Sequence, residues 1–410
     1  MTTELRVLRP SEWNEWFASL ELAFGGVLES PEERELWDSL TEHKRSLGVW
    51  DGSDVVATAG AFSFRLAVPG GALVPAAGVT MVSVAATHRR RGLLTSMMRR
   101  QLDDVRALGE PLAVLTASEP AIYGRFGYGA ATRQMSLEID TDRVRLTVPD
   151  GTDEVRLRYA KPDEAAAACE DVYERLLTGR PGAPAHGPGW ERKAVVDPAS
   201  ARQGASSLQC VLAERDGEVV GCTTFRVKPA WDKAGPKGRV TVDDVSALDP
   251  AAYAALWRFL FGIDLTSTVE ARNRPADDAV LHLVSDVRRC NIGVRDSLHV
   301  RLVEVGAALE ARTYRAPVDV VLEVEDAFCP WNAGRWRLTA DASGAASCGR
   351  TDDPADLALS VRELATAYLG GTSVVSLARA GRVRELRAGA VEEASLAFSS
   401  AVEPWLPRGF

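Results

Sequence analysis

The spacing of apolar residues changes four times along the first third of the chain. Helical periodicity runs over Glu12 to Ser19 and Pro31 to Lys44, with apolar positions three and four apart. LGVWDGSDVVATAGAFSFRL then alternates as strands do. Its Asp51-Gly52 predicts a tight hairpin turn, because such turns need residues that tolerate positive φ. Ala76 to Ala85 is a nearly continuous apolar run and reads as a buried strand. An amphipathic helix follows over Gly92 to Leu108, and a short apolar strand over Pro111 to Thr116. Strand, helix and strand in that order predict a parallel pair joined by a right-handed crossover.

The same order returns downstream. LQCVLAERDGEVVGCTTFRV reads as a second hairpin turning at Asp216-Gly217, Val240 to Pro250 as a strand, and AAYAALWRFLFGID as the next helix. This predicts a duplicated fold. Asp249-Pro250 stands where the first copy has Arg89 to Gly92, so the second copy is expected to have lost any anion site. Between the copies, the turn Val148 to Gly151 and the loop LTGRPGAPAHGPGW are rich in Pro and Gly and predict irregular chain. From about Ala308 the texture changes again: VDVVLEVED alternates, Trp331 to Leu338 reads as a strand, and SVRELATAYLGG and a closing amphipathic stretch, Val391 to Ala401, follow. A separate α+β domain is expected there. The resulting division is 1–145, 146–300 and 301–410.

Composition narrows the classes of partner. A chain of 410 residues with 46% hydrophobic and 26% charged residues is folded and too long for one core. Its net charge of -9 argues against a nucleic-acid partner, which demands a basic field. No apolar run approaches the roughly 20 residues of a membrane span, and MTTELRVLRPSEWNEW lacks the apolar core of a leader peptide, so a cytoplasmic protein without membrane attachment is expected. The six cysteines show no C-x-x-C spacing and the five histidines are scattered, so buried reduced thiols and no metal are expected.

Against that acidic background stands VSVAATHRRRGLLTSMMRR, Val82 to Arg100. A strand feeding a helix directs unpaired backbone N–H groups and the positive end of the helix dipole at one point. Gly92 leaves room for a phosphate to approach, and Arg89, Arg90 and Arg91 offer forked donors, so a diphosphate fits the pattern. Alone, the three arginines would read rather as a solvated surface charge run. Their spacing differs from the G-x-x-x-x-G-K-[ST] phosphate loop and from G-x-G-x-x-G, which turns the reading away from ATP and NAD.

Arg89-Arg90-Arg91-Gly92-Leu93-Leu94 resembles the [Q/R]-x-x-G-x-[G/A] pyrophosphate loop of the GNAT superfamily of acetyl-CoA-dependent N-acetyltransferases, with Leu94 in place of the usual small residue. Together with ASEPAIYGRFGYGAAT downstream and the terminal Phe410, VSVAATHRRRGLLTSMM is similar to the enhanced-intracellular-survival (Eis) branch. That resemblance implies an α/β (α+β) fold of two tandem GNAT-like domains, the second without a working cofactor site, plus a C-terminal sterol-carrier-protein-like α+β domain. It also implies acetyl-CoA as co-substrate and assembly into a homohexamer.

Residue roles follow from the same resemblance. Val82, Ser83 and Val84 would bond the pantetheine arm through their backbone, and Arg89 through Thr95, including Leu93 and Leu94, would hold the pyrophosphate. Ser118 and Glu119 would lie beside the cofactor, although Ser118 reads equally as a helix cap. Tyr123 would be the general acid for the departing thiolate, the α-carboxylate of Phe410 the general base, and Val84 N–H the oxyanion donor. Tyr128 is the neighbouring alternative to Tyr123. Without the resemblance, both tyrosines read as packing residues.

The implied acceptor is a small-molecule amine, an aminoglycoside in the first instance. A non-aminoglycoside aromatic or natural-product amine, or lysine, is the alternative, because Phe24-Gly25-Gly26-Val27 is uncharged and no acid lies closer to the C-terminus than Glu403. A reading of another class is an acyl-CoA- or lipid-binding regulatory protein without transferase activity.

Overall fold

The computed structural model describes residues 3–410, in two compact units. One comprises residues up to 132 with 180–185 and 296–410; the other comprises 133–179 and 186–295.

In the first unit, β1 (Glu4–Val7), β2 (Leu47–Asp51), β3 (Asp54–Ala67), β4 (Leu73–Val84) and β5 (Leu112–Thr116) lie side by side in that order. The hairpin of β2 and β3 turns through Gly52 at φ +65°, where the sequence places it. β4 and β5 pair in parallel, bridged by α3 (Leu93–Ala107), as the crossover pattern predicts. The far side of β5 is covered by Leu298–Leu302, drawn from far along the chain, and Gly129–Ala130 closes the row.

Helix α1 (Trp13–Ala23) buries Trp13, Trp16 and Phe17, and the Nε1 of Trp16 donates to the Leu47 carbonyl at 2.8 Å. Helix α2 (Pro31–Leu40) starts at a capping box: Ser30 accepts the Glu33 N–H, Glu33 accepts the Ser30 N–H, and Pro31 needs no partner at the first position. It stops short of the Lys44 that periodicity suggests, because Thr41 leaves the helical region at ψ 120°. Helix α3 sends Met97, Met98, Leu102 and Val105 into the core under the sheet.

Also in this unit, Val318–Glu325, Gly334–Ala340, Ala346–Arg350, Leu357–Ser360 and Val383–Glu385 form a five-stranded sheet. Arg301 on the long-range strand pairs with Asp326 at 2.5 Å with both side chains buried, joining the two sheets. The last segment is held by its backbone, with Trp405 N–H donating to Pro181 O at 2.9 Å and Arg180 Nη1 donating to Glu403 O at 2.6 Å.

The second unit repeats the strand order. Gln209–Arg215 and Glu218–Lys228 form the hairpin predicted at Asp216-Gly217, whose φ values are +52° and +85°. Gly238–Ala247 pairs in parallel with Thr266–Arg274 across the helix Pro250–Phe261. Here the chain occupies its own anion site. Asp249 caps the helix, its carboxylate accepting the Ala251 and Ala252 N–H groups at 2.9 Å each, and Arg215 pairs with it at 2.8 Å. Buried Arg274 donates to the Val245 carbonyl at 3.0 Å and to Asp278, which also receives the Tyr253 hydroxyl. Its guanidinium thus bridges the two parallel strands. Replacing Asp249 by alanine is expected to destabilise this unit by about 1–2 kcal/mol, read as a lower urea midpoint with faster amide exchange over 250–261. Among the described residues the six cysteines are buried and form no disulfide, as the sequence leads one to expect.

Candidate active site

β4 and β5 pair only where Ala76–Gly78 meets Leu112–Val114. Beyond Gly78, β4 runs on to Val84 with its β5-facing edge unpaired, and a cavity of about 770 Å³ opens there.

The edge is shaped by a bulge. Thr58 pairs with Ser83 but Gly60 with Thr80, so Met81 and Val82 together oppose Ala59, and Met81 takes φ +52°. A relay of hydroxyls fixes it: Thr58 Oγ1 donates to the Met81 carbonyl at 2.7 Å and lies 2.7 Å from Ser83 Oγ, which therefore donates to Thr58. The Ser83 hydroxyl is thus turned to Thr58 on the neighbouring strand. Ala85 N–H donates to Val56 O at 2.9 Å, so by strand alternation the Val84 N–H faces the unpaired edge.

The loop after β4 makes a short 3-10 turn over Ala86–His88 and passes through Arg90 at φ +63° and Gly92 at φ +82°. Gly92 is the N-cap of α3 and supplies no side-chain acceptor. The first bond back to it comes from Ser96 N–H at 3.0 Å, so the N–H groups of Leu93, Leu94 and Thr95 have no intrahelical acceptor. A Cβ built on Gly92 would meet nothing within 4 Å. The cradle is open, with no acid in the first helical turn.

Across β5, Ser118, Glu119 and Tyr123 reach the same cavity. The N-cap of α4 (Pro120–Tyr123) is Glu119, without a side-chain hydrogen bond, so Ser118 does not act as the cap that the sequence also allows. Tyr123 is partly buried, and its hydroxyl makes no hydrogen bond among the described residues. Burial, and then the Glu119 carboxylate, push its pKa up to about 12. Tyr128 packs edge-on to Tyr123 at 6.0 Å between ring centres but is buried in the core, and burial raises its pKa strongly as well. Phe410 reaches the cavity, its ring meeting Phe64 at 5.0 Å in an edge-to-face contact.

Of the site residues expected from sequence, Val82, Ser83, Val84, Arg89, Arg90, Gly92, Leu93, Leu94, Thr95, Ser118, Glu119, Tyr123 and Phe410 line this one cavity. Arg91 is exposed and lies off its wall. Sequence reasoning missed Phe17, Glu21, Glu29 and Arg125, which also line it. Of these, only the helical period of α1, which groups Phe17, Leu20 and Glu21, gave any signal.

Comparison with known proteins agrees with this architecture. Residues 4–131 match an acetyltransferase (GNAT) domain, 185–302 a second acetyltransferase (GNAT) domain, and 305–407 a sterol carrier protein domain. The chain is 71% identical over its full length to an uncharacterized N-acetyltransferase of Streptomyces avermitilis, with all of both chains covered. It is 32% identical to N-acetyltransferase Eis of Mycobacterium tuberculosis, with 98% of each covered. The crystal structure of Eis1 from Mycobacterium abscessus superposes with a TM-score of 0.84 at 33% identity, covering 100% of both chains. An open cradle on the first GNAT domain, a self-filled one on the second and a sterol-carrier domain after them in the sequence are thus explained together: the chain is an N-acetyltransferase belonging to the Eis family of the GNAT superfamily.

Proposed function

We propose that the protein transfers acetyl from acetyl-CoA to a primary amine of a small molecule by direct attack, both substrates bound together in the cavity between β4 and β5. The observation that carries this is the contrast between the two helix N-termini, one open beside Arg89 and Arg90 and the other filled by Asp249. The residues present fit the co-substrate: the Gly92 cradle has room where a Cβ would project, and the unpaired edge of β4 suits an extended amide-bearing arm. GNAT domains imply acetyl-CoA, which supplies an activated acetyl thioester and a thiolate leaving group.

The Leu93, Leu94 and Thr95 N–H groups with Arg89 and Arg90 bind the diphosphate, and Val82 to Val84 orient the arm. Arg91, off the wall, serves at most as long-range positive charge. Val84 N–H holds the carbonyl oxygen as charge develops on it. The Phe410 carboxylate, directly or through a water, takes the proton that the acceptor ammonium must lose. Tyr123 Oη keeps the proton that the leaving sulfur needs: a phenol held near pKa 12 is fully protonated at neutral pH, while a thiol near 8.5 is only slightly acidic.

Calorimetry with acetyl-CoA is expected to give one site per chain, and thiol release should require an added amine. Gly92→Ala should raise the KM for acetyl-CoA about tenfold at a stability cost of about 1–2 kcal/mol, because it forces a left-handed φ on a Cβ-bearing residue and fills the cradle. Two sites per chain, or an unchanged KM, would overturn this assignment. The homohexamer that the resemblance implies is checked by light scattering.

A further inference from the structure

The part of the cavity wall contributed by α1, α2 and the loop between them is apolar. Phe17, Phe24, Val27 and Trp37 line it, and Phe24 and Val27 are 60% and 82% exposed, on a loop with no charged residue from Ala23 to Leu28. Large apolar side chains kept in water at the mouth of a cavity mark a place where an apolar body docks.

Charge on this wall is sparse. Two carboxylates reach it, Glu21 and Glu29. Glu21 is buried, ion-paired with Arg34, and accepts the Glu29 N–H at 2.9 Å. Only Glu29 is left to face a cation. On the other side of the balance, Arg125, two positions from Tyr123, lines the same cavity with no carboxylate paired to it among the described residues. Glu119 lies beside Tyr123 and the Phe410 carboxylate is the base of the proposed reaction, so the further ammonium groups of a ligand would find Glu29 alone on the α1–α2 wall and would meet the Arg125 guanidinium. Such a charge pattern selects against polycations.

We propose that the acceptor is a primary amine with an apolar alkyl or aryl body and no second cationic group, its body lying on Phe24, Val27 and Trp37; the proposal rests on the acetyltransferase reading of the same site. Transfer forms one N–C bond and breaks the thioester C–S bond. The ammonium gives up two protons, one released through the base and one carried off on the thiol.

The test compares thiol release with n-octylamine, 1,8-diaminooctane and kanamycin, using the full chain and acetyl-CoA. The first two share a chain length and differ by the second ammonium. The kcat/KM for octylamine is expected to exceed that for the diamine and for kanamycin by about tenfold or more. Phe24→Ala should raise the KM for octylamine about tenfold with the KM for acetyl-CoA unchanged, and Val27→Asp should shrink the octylamine preference to below about threefold. An equal or higher kcat/KM for the diamine or kanamycin, or an unchanged octylamine KM in Phe24→Ala, overturns the acceptor class and leaves the transferase standing. Absence of thiol release with all three overturns both.

Discussion

Tyr123→Phe is expected to lower kcat by about 10²–10³-fold while the KM for acetyl-CoA stays within about twofold. The substitution keeps the ring that packs against Tyr128 and removes only a hydroxyl that has no hydrogen bond among the described residues, so the fold should not respond. The proton available to the leaving sulfur is what disappears. Because burial and Glu119 raise the phenol to about pKa 12, the acid form persists through the neutral range and beyond. The kcat of the native enzyme should therefore rise with pH as the amine and its base deprotonate, with no alkaline fall below about pH 10. A fall between about pH 8 and 10 that persists in Tyr123→Phe would point to a different acid. Tyr128→Phe is the matched control. Its hydroxyl is buried without a partner among the described residues, so removing it should leave kcat unchanged and stability equal or slightly higher.

Adding a single alanine after Phe410 is expected to reduce kcat/KM for the amine by about 10²-fold or more, with acetyl-CoA affinity preserved in calorimetry. The added residue turns the carboxylate into a neutral amide and moves the charge onward, whereas the anchoring of Trp405 on Pro181 and of Glu403 on Arg180 lies upstream and is untouched. Phe410→Leu separates ring from carboxylate: it gives up the edge contact with Phe64 but keeps the terminal charge, and should lose less than about tenfold. If Phe410→Leu were as damaging as the extension, the ring rather than the carboxylate would be the important element.

Features set by a few neighbouring residues could be read from the sequence. Asp51-Gly52 and Asp216-Gly217 specify their hairpins because turn geometry is a local matter of φ, and the apolar strand, arginines, Gly92 and amphipathic helix in series specify the anion cradle. Asp249 in the second copy signals the loss of that cradle, and the structure adds the bridge that Arg274 makes between the two parallel strands, which no spacing could reveal because its acceptor, the Val245 carbonyl, is distant in sequence. The bulge was hidden too. Met81 adopts φ +52° with no glycine to advertise it, held by a hydroxyl relay from the neighbouring strand. Glu29 and Arg125 were hidden for a related reason, since each becomes part of the site only through the path of an irregular loop or a short helix. The pairing of Leu298–Leu302 with β5 is the most distant of these relations, and periodicity carries no register between segments so far apart.

That last pairing bears on how the enzyme comes into being. β5 acquires its outer neighbour only when residues near 300 have been synthesised, after the whole of the second unit. At ordinary rates of translation, the nascent sheet presents an unpaired apolar edge, Leu112 to Leu115, for on the order of ten seconds. Chaperone dependence during synthesis, and inclusion bodies from any gene fragment that stops short of Leu302, are the expected practical result.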